Sequence, residues 1–422
     1  MKILHIMPFT PYPPIFGGAL REYHLLKNMA KNNHVTLVTY GGPGEDLQLV
    51  RHLSDQLDDI RVVPESAARR YHRLAQFYAL WTSCSYAYLS SYSYRMQKQL
   101  DELLARENFD IIQNEFSVMG NFELDSGALK ILDEHNVEYD NFYRMALNNK
   151  SAIRRMFYRR EYLRMRKEEL QTCKKHDLIF VTSNRDKEKL DEDVPEIPKY
   201  VLPNGVDMDF FHPSEDKPEP HSLVFTGMMG YVPNNDAMLY FIDEILPLIQ
   251  KEIPDVKIYI VGNRPPQKLK ARASDRIIVT GFVDDVRPYV WRSSVYVVPL
   301  RMGGGTRLKV LEALSMKKPV VSTSIGCEGI TVKHNESIRI ADEPEHFASS
   351  VIELLKNQKA GFSDPIVERG YQLVQGHYEW KIVGEKMQRI YDSALQTQSV
   401  KKTKDDDNLR KLSPGNLAYL RS

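Results

Sequence analysis

Short runs of β-branched and apolar residues alternate with longer amphipathic segments along most of the chain, and this alternation constrains the fold more than any other feature. Strands separated by helix-length segments pair in parallel, and each intervening helix crosses a face of the sheet. In the first half the strand runs are Lys2 to Met7, Val35 to Tyr40, Asp110 to Gln113, Leu129 to Asp133 and Leu178 to Thr182. In the second half they are Ser222 to Thr226, Lys257 to Val261, Arg276 to Thr280, Val295 to Leu300, Val320 to Thr323 and Ser337 to Ile340. Between the halves stands Leu202-Pro203-Asn204-Gly205-Val206, then a proline- and charge-rich stretch to His221 with the composition of a linker. A chain of 422 residues exceeds one ordinary core. The expectation is two doubly wound α/β domains, over residues 1–200 and 201–376, meeting across a central cleft. Ligands in such sheets bind beyond the carboxyl ends of the strands, so the loops that follow strands are where chemistry is to be sought.

Composition removes several function classes. With 42% hydrophobic residues, 27% charged residues and a net charge of +1, the chain has no cationic excess to draw it to a polyanion. Nucleic acid is not an expected partner, and any anionic ligand must be held locally. The three cysteines, Cys84, Cys173 and Cys327, lie far apart and show no metal-ligand spacing. A reducing cytoplasm and no metal site are expected. The run Met1 to Pro8 is too briefly apolar for a signal peptide, and nothing approaches the roughly 20 apolar residues that cross a bilayer.

The stretch Pro299 to Leu314, PLRMGGGTRLKVLEAL, carries the densest chemistry. Its glycines, Gly303, Gly304 and Gly305, fall between a buried-strand pattern and a helix start, where free backbone N–H groups and the helix dipole attract an anion. Arg307 and Lys309 add cations where the helix dipole disfavours them, a conflict that a bound diphosphate would remove. Glu312 stands about one and a half turns further on, suited to accept hydrogen bonds from the paired hydroxyls of a ribose. The alternative is a flexible surface loop with solvated charges. The loop is not a Walker motif, and no G-x-G-x-x-G follows the first strand, so nicotinamide chemistry is disfavoured.

With those residues in view, the chain resembles the retaining glycosyltransferases of family 4 (glycosyl transferases group 1), which have the GT-B fold of two Rossmann-like domains. The likeness is carried by GGGTRLKVLEALSMKKPVVSTSIGCEGI, by LPNGVDMDFF at Leu202 to Phe211, by DEHNVE at Asp133 to Glu138, and by PPIFGGALRE at Pro13 to Glu22. The resemblance implies transfer of a sugar from a UDP-, GDP- or ADP-linked donor to a glycan or lipid-linked acceptor in polysaccharide or glycoconjugate synthesis. It implies retention of anomeric configuration and no cofactor or obligatory metal. By the same resemblance, Arg307 and Lys309 hold the donor diphosphate and stabilise its departure, Glu312 binds ribose, and His135 serves the transferred sugar. Gly17, Gly18, Gly227, Phe282, Val283, Thr306 and the three loop glycines complete the donor-binding set. A C-terminal helix over residues 377–396 is expected to cross back onto the first domain, and the polar stretch 397–422 reads as a disordered tail. Two departures stand out: the family's first motif glutamate falls at Gly304, and Met228 follows Gly227 where many members carry arginine. Rival readings are a nucleotide-sugar epimerase of the same fold and a sugar-nucleotide-binding protein without catalysis.

Other positions admit a structural and a functional role. Gly17 and Gly18 either face phosphates or simply allow a tight turn, and His135 is either a sugar ligand or a structural histidine. Glu115, at another strand end, is an acceptor-side candidate. Asp207-Met208-Asp209 follows an Asn-Gly turn and reads as structural, and Asp284 or Asp285 can cap the next helix. The aromatics Tyr71, Phe77, Tyr78, Trp81, Tyr86, Tyr88, Tyr92 and Tyr94 suit packing or sugar stacking. Lys150 to Lys175, with Arg154, Arg155, Arg159, Arg160, Arg164 and Arg166, is either a solvated helix face or a peripheral contact with the inner face of a membrane.

Overall fold

The structure is a computed structural model, and it describes residues 1–14, 16–42, 49, 52–65, 79, 81–148, 151–303, 305–357 and 365–411. Gly304, Tyr71, Phe77 and Tyr78 lie outside the described residues. The chain divides into two compact units. The first comprises residues 1–181, 186–202 and 384–422, and the second residues 182–185 and 203–383.

In the first unit, β1 (Lys2–Met7), β2 (His34–Gly41), β3 (Asp59–Pro64), β4 (Ile111–Glu115), β5 (Leu129–Glu134), β6 (Leu178–Val181) and β7 (Lys199–Val201) form one sheet. Its order is β3-β2-β1-β4-β5-β6-β7, with every pairing parallel. The order reverses between β1 and β4, which opens a crevice at their carboxyl ends. The sequence reading placed five of these strands and missed β3 and β7. Both are the outermost strands, and edge strands carry polar residues that blunt an apolar pattern: DIRVVP and KYV are such sequences.

The second unit repeats the arrangement with β8 (Ser222–Thr226), β9 (Lys257–Val261), β10 (Ile277–Gly281), β11 (Val295–Val298), β12 (Val320–Ser322) and β13 (Arg339–Ile340). Their order is β10-β9-β8-β11-β12-β13, again all parallel, so the switch point falls between β8 and β11. A single apolar core runs under this sheet and includes Phe225, Phe241, Val297, Leu311 and Phe347.

The interdomain stretch is less linker-like than its composition implies. Val206 is buried in the core of the second unit and exchanges backbone hydrogen bonds with Tyr378 and Trp380. A side chain at Gly205 would meet the Trp380 ring at 2.6 Å, so the Asn-Gly turn is shaped by that close approach. Asp207 accepts from the backbone N–H groups of Asp209 and Phe210 at 3.1 and 3.0 Å, the structural role expected of the Asp-Met-Asp triplet.

The last helix spans Trp380–Lys411 and thus runs through residues 397–411, which the sequence reading assigned to a disordered tail. Its polar residues include good helix formers, and they continue a helix already started by a packed segment. Tyr391 is fully buried, lies 6.0 Å from the ring of Phe180 and donates its hydroxyl hydrogen to Gln113 Oε1. Gly384 has no room for a side chain beside Asn28, and Gln388 accepts from Asn33 at 2.8 Å.

Candidate functional site

In the second unit the loops beyond the strand ends gather around three glycines. Gly227, Gly262 and Gly281 end β8, β9 and β10 and all have positive φ, +149°, +150° and +75°. Gly227 N–H donates to Val261 O at 3.0 Å and Gly262 N–H to Gly281 O at 3.1 Å. A methyl group on Gly262 would overlap the carbonyl oxygen of Gly227, so the loops nest because Gly262 lacks one.

Lys309 comes to this place from the helix Leu308–Ser315, whose apolar face packs Leu311 and Leu314 into the core. Its Nζ donates to Asn234 Oδ1 at 2.9 Å and lies 4.0 Å from the centre of the Phe225 ring. A Cβ at Gly227 would stand 2.8 Å from that Nζ. Asn234 in turn donates to Met228 O at 3.0 Å, which ties the Gly227 loop to the lysine. Asn234, buried in the first turns of the helix Val232–Tyr240, was not singled out from the sequence. The signal was present as an asparagine pair just after a glycine loop.

Lys309 and Glu312 are three residues apart on one helix, and so share a face. Burial draws the Lys309 ammonium down to about 7, against the attraction of Glu312. It pushes the Glu312 carboxyl up to about 7, against the attraction of Lys309. Both groups therefore sit near the midpoint of their titration at neutral pH. Arg307 is the residue before the helix and is 7% exposed. Its Nε donates to Ile325 O at 3.2 Å, and one terminal nitrogen stands 4.0 Å from Glu328. Gly303 (φ +116°) places its bare Cα against that guanidinium, since a Cβ would approach it to 3.2 Å. Gly305 also has positive φ, +75°. The Thr306 hydroxyl is buried with no hydrogen-bond partner among the described residues.

Phe282 is exposed and Val283 half-buried beyond Gly281. Asp285 accepts from the backbone N–H of Arg287 at 2.9 Å and pairs with its side chain, so it serves the start of the next helix.

The first unit brings together a different set. Gly17 and Gly18 form the first turn of the helix Gly17–Met29. That helix buries Arg21 and Glu22. His135 follows β5, is buried, and packs its ring 3.9 Å from that of Phe116. It is no lone histidine: its Nε2 lies 2.9 Å from both Glu22 Oε1 and Glu115 Oε2. Glu22, Glu115, Asp133 and His135 offer ligand atoms within 4.8 Å of one another, a donor set that could hold a metal ion. Burial holds His135 well below its ordinary value, with the Arg21 and His5 charges adding to the shift. The partners His5 and Glu22 were not singled out from the sequence. The aromatic cluster divides: Tyr88 is buried, whereas Trp81 and Tyr94 are exposed.

These features are those of a doubly wound α/β unit with glycine loops at its strand ends. Residues 220–357 match the model of the family glycosyl transferases group 1. Over nearly its whole length the chain is similar to an uncharacterized 44.6 kDa protein in the cps region of Klebsiella pneumoniae, with 24% identity over 90% of this chain and 97% of that one. It is also similar to a lipopolysaccharide core biosynthesis mannosyltransferase of Rhizobium leguminosarum bv. viciae, with 25% identity over 42% of this chain and 53% of that protein. Among solved structures, sucrose-phosphate synthase from Thermosynechococcus elongatus superposes with a TM-score of 0.66 at 16% identity, covering 94% of this chain and 100% of that one. The chain thus has the GT-B fold, two parallel sheets with their helices. Among the described residues no helix is long and apolar enough to cross a membrane.

Proposed function

We propose that this glycosyltransferase moves a sugar from a nucleoside-diphosphate donor to an acceptor hydroxyl of a glycan or lipid-linked glycan, with retention of configuration. The observation that carries the reading is the setting of Lys309. Its ammonium is held against the bare Cα of Gly227 at the switch point of the second sheet, with its charge half lost by burial. A diphosphate there would restore that charge, and Arg307 and the backbone N–H groups around Gly303 and Gly305 would share the load. Glu312 is assigned to the ribose hydroxyls, the Thr306 hydroxyl to the phosphates, and the Gly281-Phe282-Val283 turn to the nucleobase.

In this mechanism the bond from the anomeric carbon to the diphosphate breaks first. Arg307 and Lys309 stabilise the leaving oxygens while positive charge develops on the sugar. The acceptor hydroxyl attacks from the face the leaving group vacates, and a departing phosphate oxygen takes its proton. The charge work falls to two side-chain cations, so no metal is assigned to the step. His135 of the first unit is assigned to the transferred sugar, and Gly17 and Gly18 to the same step. The reading places the enzyme in the cytoplasm, where its three free cysteines stay reduced.

A thermal-shift panel of UDP-, GDP- and ADP-sugars tests the donor assignment, since a ligand that binds the native state raises its melting temperature by mass action. One nucleotide should stand out, and no response to any would sink the reading. Labelled donor with an acceptor extract then separates transfer from epimerisation, which needs no acceptor. Membrane contact is proposed for the start of the helix Ala152–Lys174. Ile153, Met156, Arg154, Arg155, Arg159 and Arg160 are all exposed there, which suits anionic lipid. The apolar and basic residues at this helix start are exposed alike. Flotation with phosphatidylglycerol vesicles but not phosphatidylcholine vesicles is the expected result, and equal recovery with both would reject it.

A further inference from the structure

Glu115 and Phe116 are consecutive residues, yet both touch the same imidazole. Glu115 Oε2 lies 2.9 Å from His135 Nε2, and the centre of the Phe116 ring lies 3.9 Å from that of His135, with the two planes tilted by 36°. Successive side chains of an extended strand point to opposite faces, so neighbours reach one ring only if the chain turns between them. It turns at Phe116, the residue after β4, where φ is +64° and ψ is 141°. A bulky residue rarely adopts a positive φ, and such a conformation persists only where its surroundings impose it. Here both backbone groups are held: the Phe116 N–H donates to Asp133 O at 2.9 Å, and the Phe116 carbonyl accepts from the Met119 N–H at 3.0 Å.

A glycine would make the same turn without strain, so the phenylalanine has to be explained by its ring. That ring meets Phe9 edge to face at 5.5 Å, and Phe9 meets Phe16 in the same way at 4.8 Å. The three rings close over Gly18, where a Cβ would stand 3.1 Å from Phe16, 3.3 Å from Phe9 and 3.5 Å from Phe116. His135 is buried, Phe116 and Phe9 are half-buried and Phe16 is exposed, so the stack runs from the imidazole toward solvent. At its far end the imidazole is held through Nε2, 2.9 Å from Glu115 and 2.9 Å from Glu22, which itself lies 2.8 Å from His5 Nε2. Contacts at one atom fix that atom but not the plane of the ring; an aromatic face laid against the imidazole fixes the plane. We propose that Phe116 is a positioning residue for the transfer step: the strained corner after β4 lays its ring on the face of His135 and so sets the direction in which the other edge of the imidazole meets the sugar.

The consequence for catalysis rests on the assignment of His135 to the transferred sugar. Within that reading Gly18 serves the site through the rings packed on its bare Cα, and Phe116 acts only through His135. The placement of the ring also makes a claim that needs no substrate. An aromatic ring lying over an imidazole shields the hydrogens of that imidazole, and a strained corner is eased by glycine.

The test uses the full chain and its Phe116→Gly, Phe116→Ala, Phe116→Leu and Phe116→Tyr variants. Phe116→Gly should melt above Phe116→Ala, the reverse of the order at an ordinary position. With 13C in the histidine rings, the His135 signals, assigned by His135→Gln, should lie upfield of those of free histidine in NMR spectra. They should move back in Phe116→Gly and Phe116→Leu but not in Phe116→Tyr. Turnover of whichever labelled UDP-, GDP- or ADP-sugar binds, with an acceptor extract, should fall about tenfold in Phe116→Gly and Phe116→Leu at nearly unchanged donor KM, and Phe116→Tyr should restore it. In the His135→Gln background Phe116→Gly should cost little further turnover, because the two residues act as one unit. The glycine variant keeps the turn and loses only the ring, so wild-type turnover in it would overturn the proposal. Unmoved His135 signals, a melting temperature of Phe116→Gly below that of Phe116→Ala, or an equal loss from Phe116→Gly with and without His135 would overturn it too. If Phe116→Leu does not fold, Phe116→Gly and Phe116→Tyr decide. Wild-type turnover in His135→Gln would reject the assignment of His135 and the positioning role with it, whereas a loss in His135→Gln and none in Phe116→Gly would reject the positioning role alone. Either result leaves the donor assignment standing.

Discussion

Donor binding should be accompanied by proton uptake at Lys309, and the size of that uptake follows from the site. In the empty protein the ammonium is held at about 7, so at pH 8 only about a tenth of it is charged. A diphosphate oxygen about 4 Å away, at the effective dielectric of a partly buried site, attracts the charged form by about 4 kcal/mol, or about three pKa units. That would carry the group to about 10, nearly fully protonated at pH 8. The expected uptake is therefore about 0.9 proton per nucleotide, less the at most about 0.1 proton that Glu312, whose carboxyl sits near 7, gives up when its carboxylate accepts from the ribose. Isothermal titration calorimetry at pH 8 in two buffers of different ionisation enthalpy measures it directly. Lys309→Arg keeps the cation but cannot titrate, so its uptake should vanish, leaving only the small release from Glu312. Wild-type uptake near zero, or the same uptake in Lys309→Arg, would refute the reasoning.

The same shifts fix the sign of stability against pH in the empty protein. Lys309 falls from 10.5 to about 7, so it costs nothing above pH 10.5 and its cost grows as pH drops toward 7. Glu312 rises from 4.5 to about 7, so it costs nothing below pH 4.5 and its cost grows as pH climbs toward 7. Both penalties are therefore large near pH 7, and they are penalties that a bound diphosphate and ribose can relieve.

Other outcomes follow from the same geometry. Arg307→Ala should lower turnover by about 100-fold or more while weakening donor binding far less, as expected for a group that stabilises the departing diphosphate; near-normal turnover in steady-state kinetics would contradict its assignment. Glu312→Gln should weaken the nucleotide by roughly tenfold and reduce discrimination against the 2′-deoxy nucleotide, measured by competition binding. Gly262→Ala should destabilise the second unit by about 2–4 kcal/mol, since it adds a methyl against the Gly227 carbonyl at a positive φ. A melting temperature within about 1 °C of wild type would show that the loops do not nest as described.

Much of the fold could be read from the sequence because parallel strands buried on both faces are continuous apolar runs. LVF in β8 and VYVV in β11 are such runs. The edge strands of the first unit escaped because Asp59, Arg61, Lys199 and Tyr200 dilute the pattern where one side of a strand meets solvent. The site was legible in proportion to its locality. Arg307, Lys309 and Glu312 stand within one short stretch, and their spacing alone describes a helix start with charges on it. His5, Glu22, Glu115 and His135 come from four separate places along the chain, made neighbours only by the order β2-β1-β4-β5. Their trace in the sequence was a set of polar interruptions, His5 inside an otherwise apolar β1 and Gln113-Asn114-Glu115 at the end of β4. A buried strand carries such residues only when a partner waits across the sheet.

The most direct test of the account is calorimetric binding of UDP, GDP and ADP to the full chain, each compared with the Lys309→Met variant. The account predicts saturable binding of one of the three, weakened by roughly tenfold or more in Lys309→Met at pH 7. Binding of none, or equal affinity in wild type and variant, would contradict the assignment of the Gly227 and Lys309 loops to the donor.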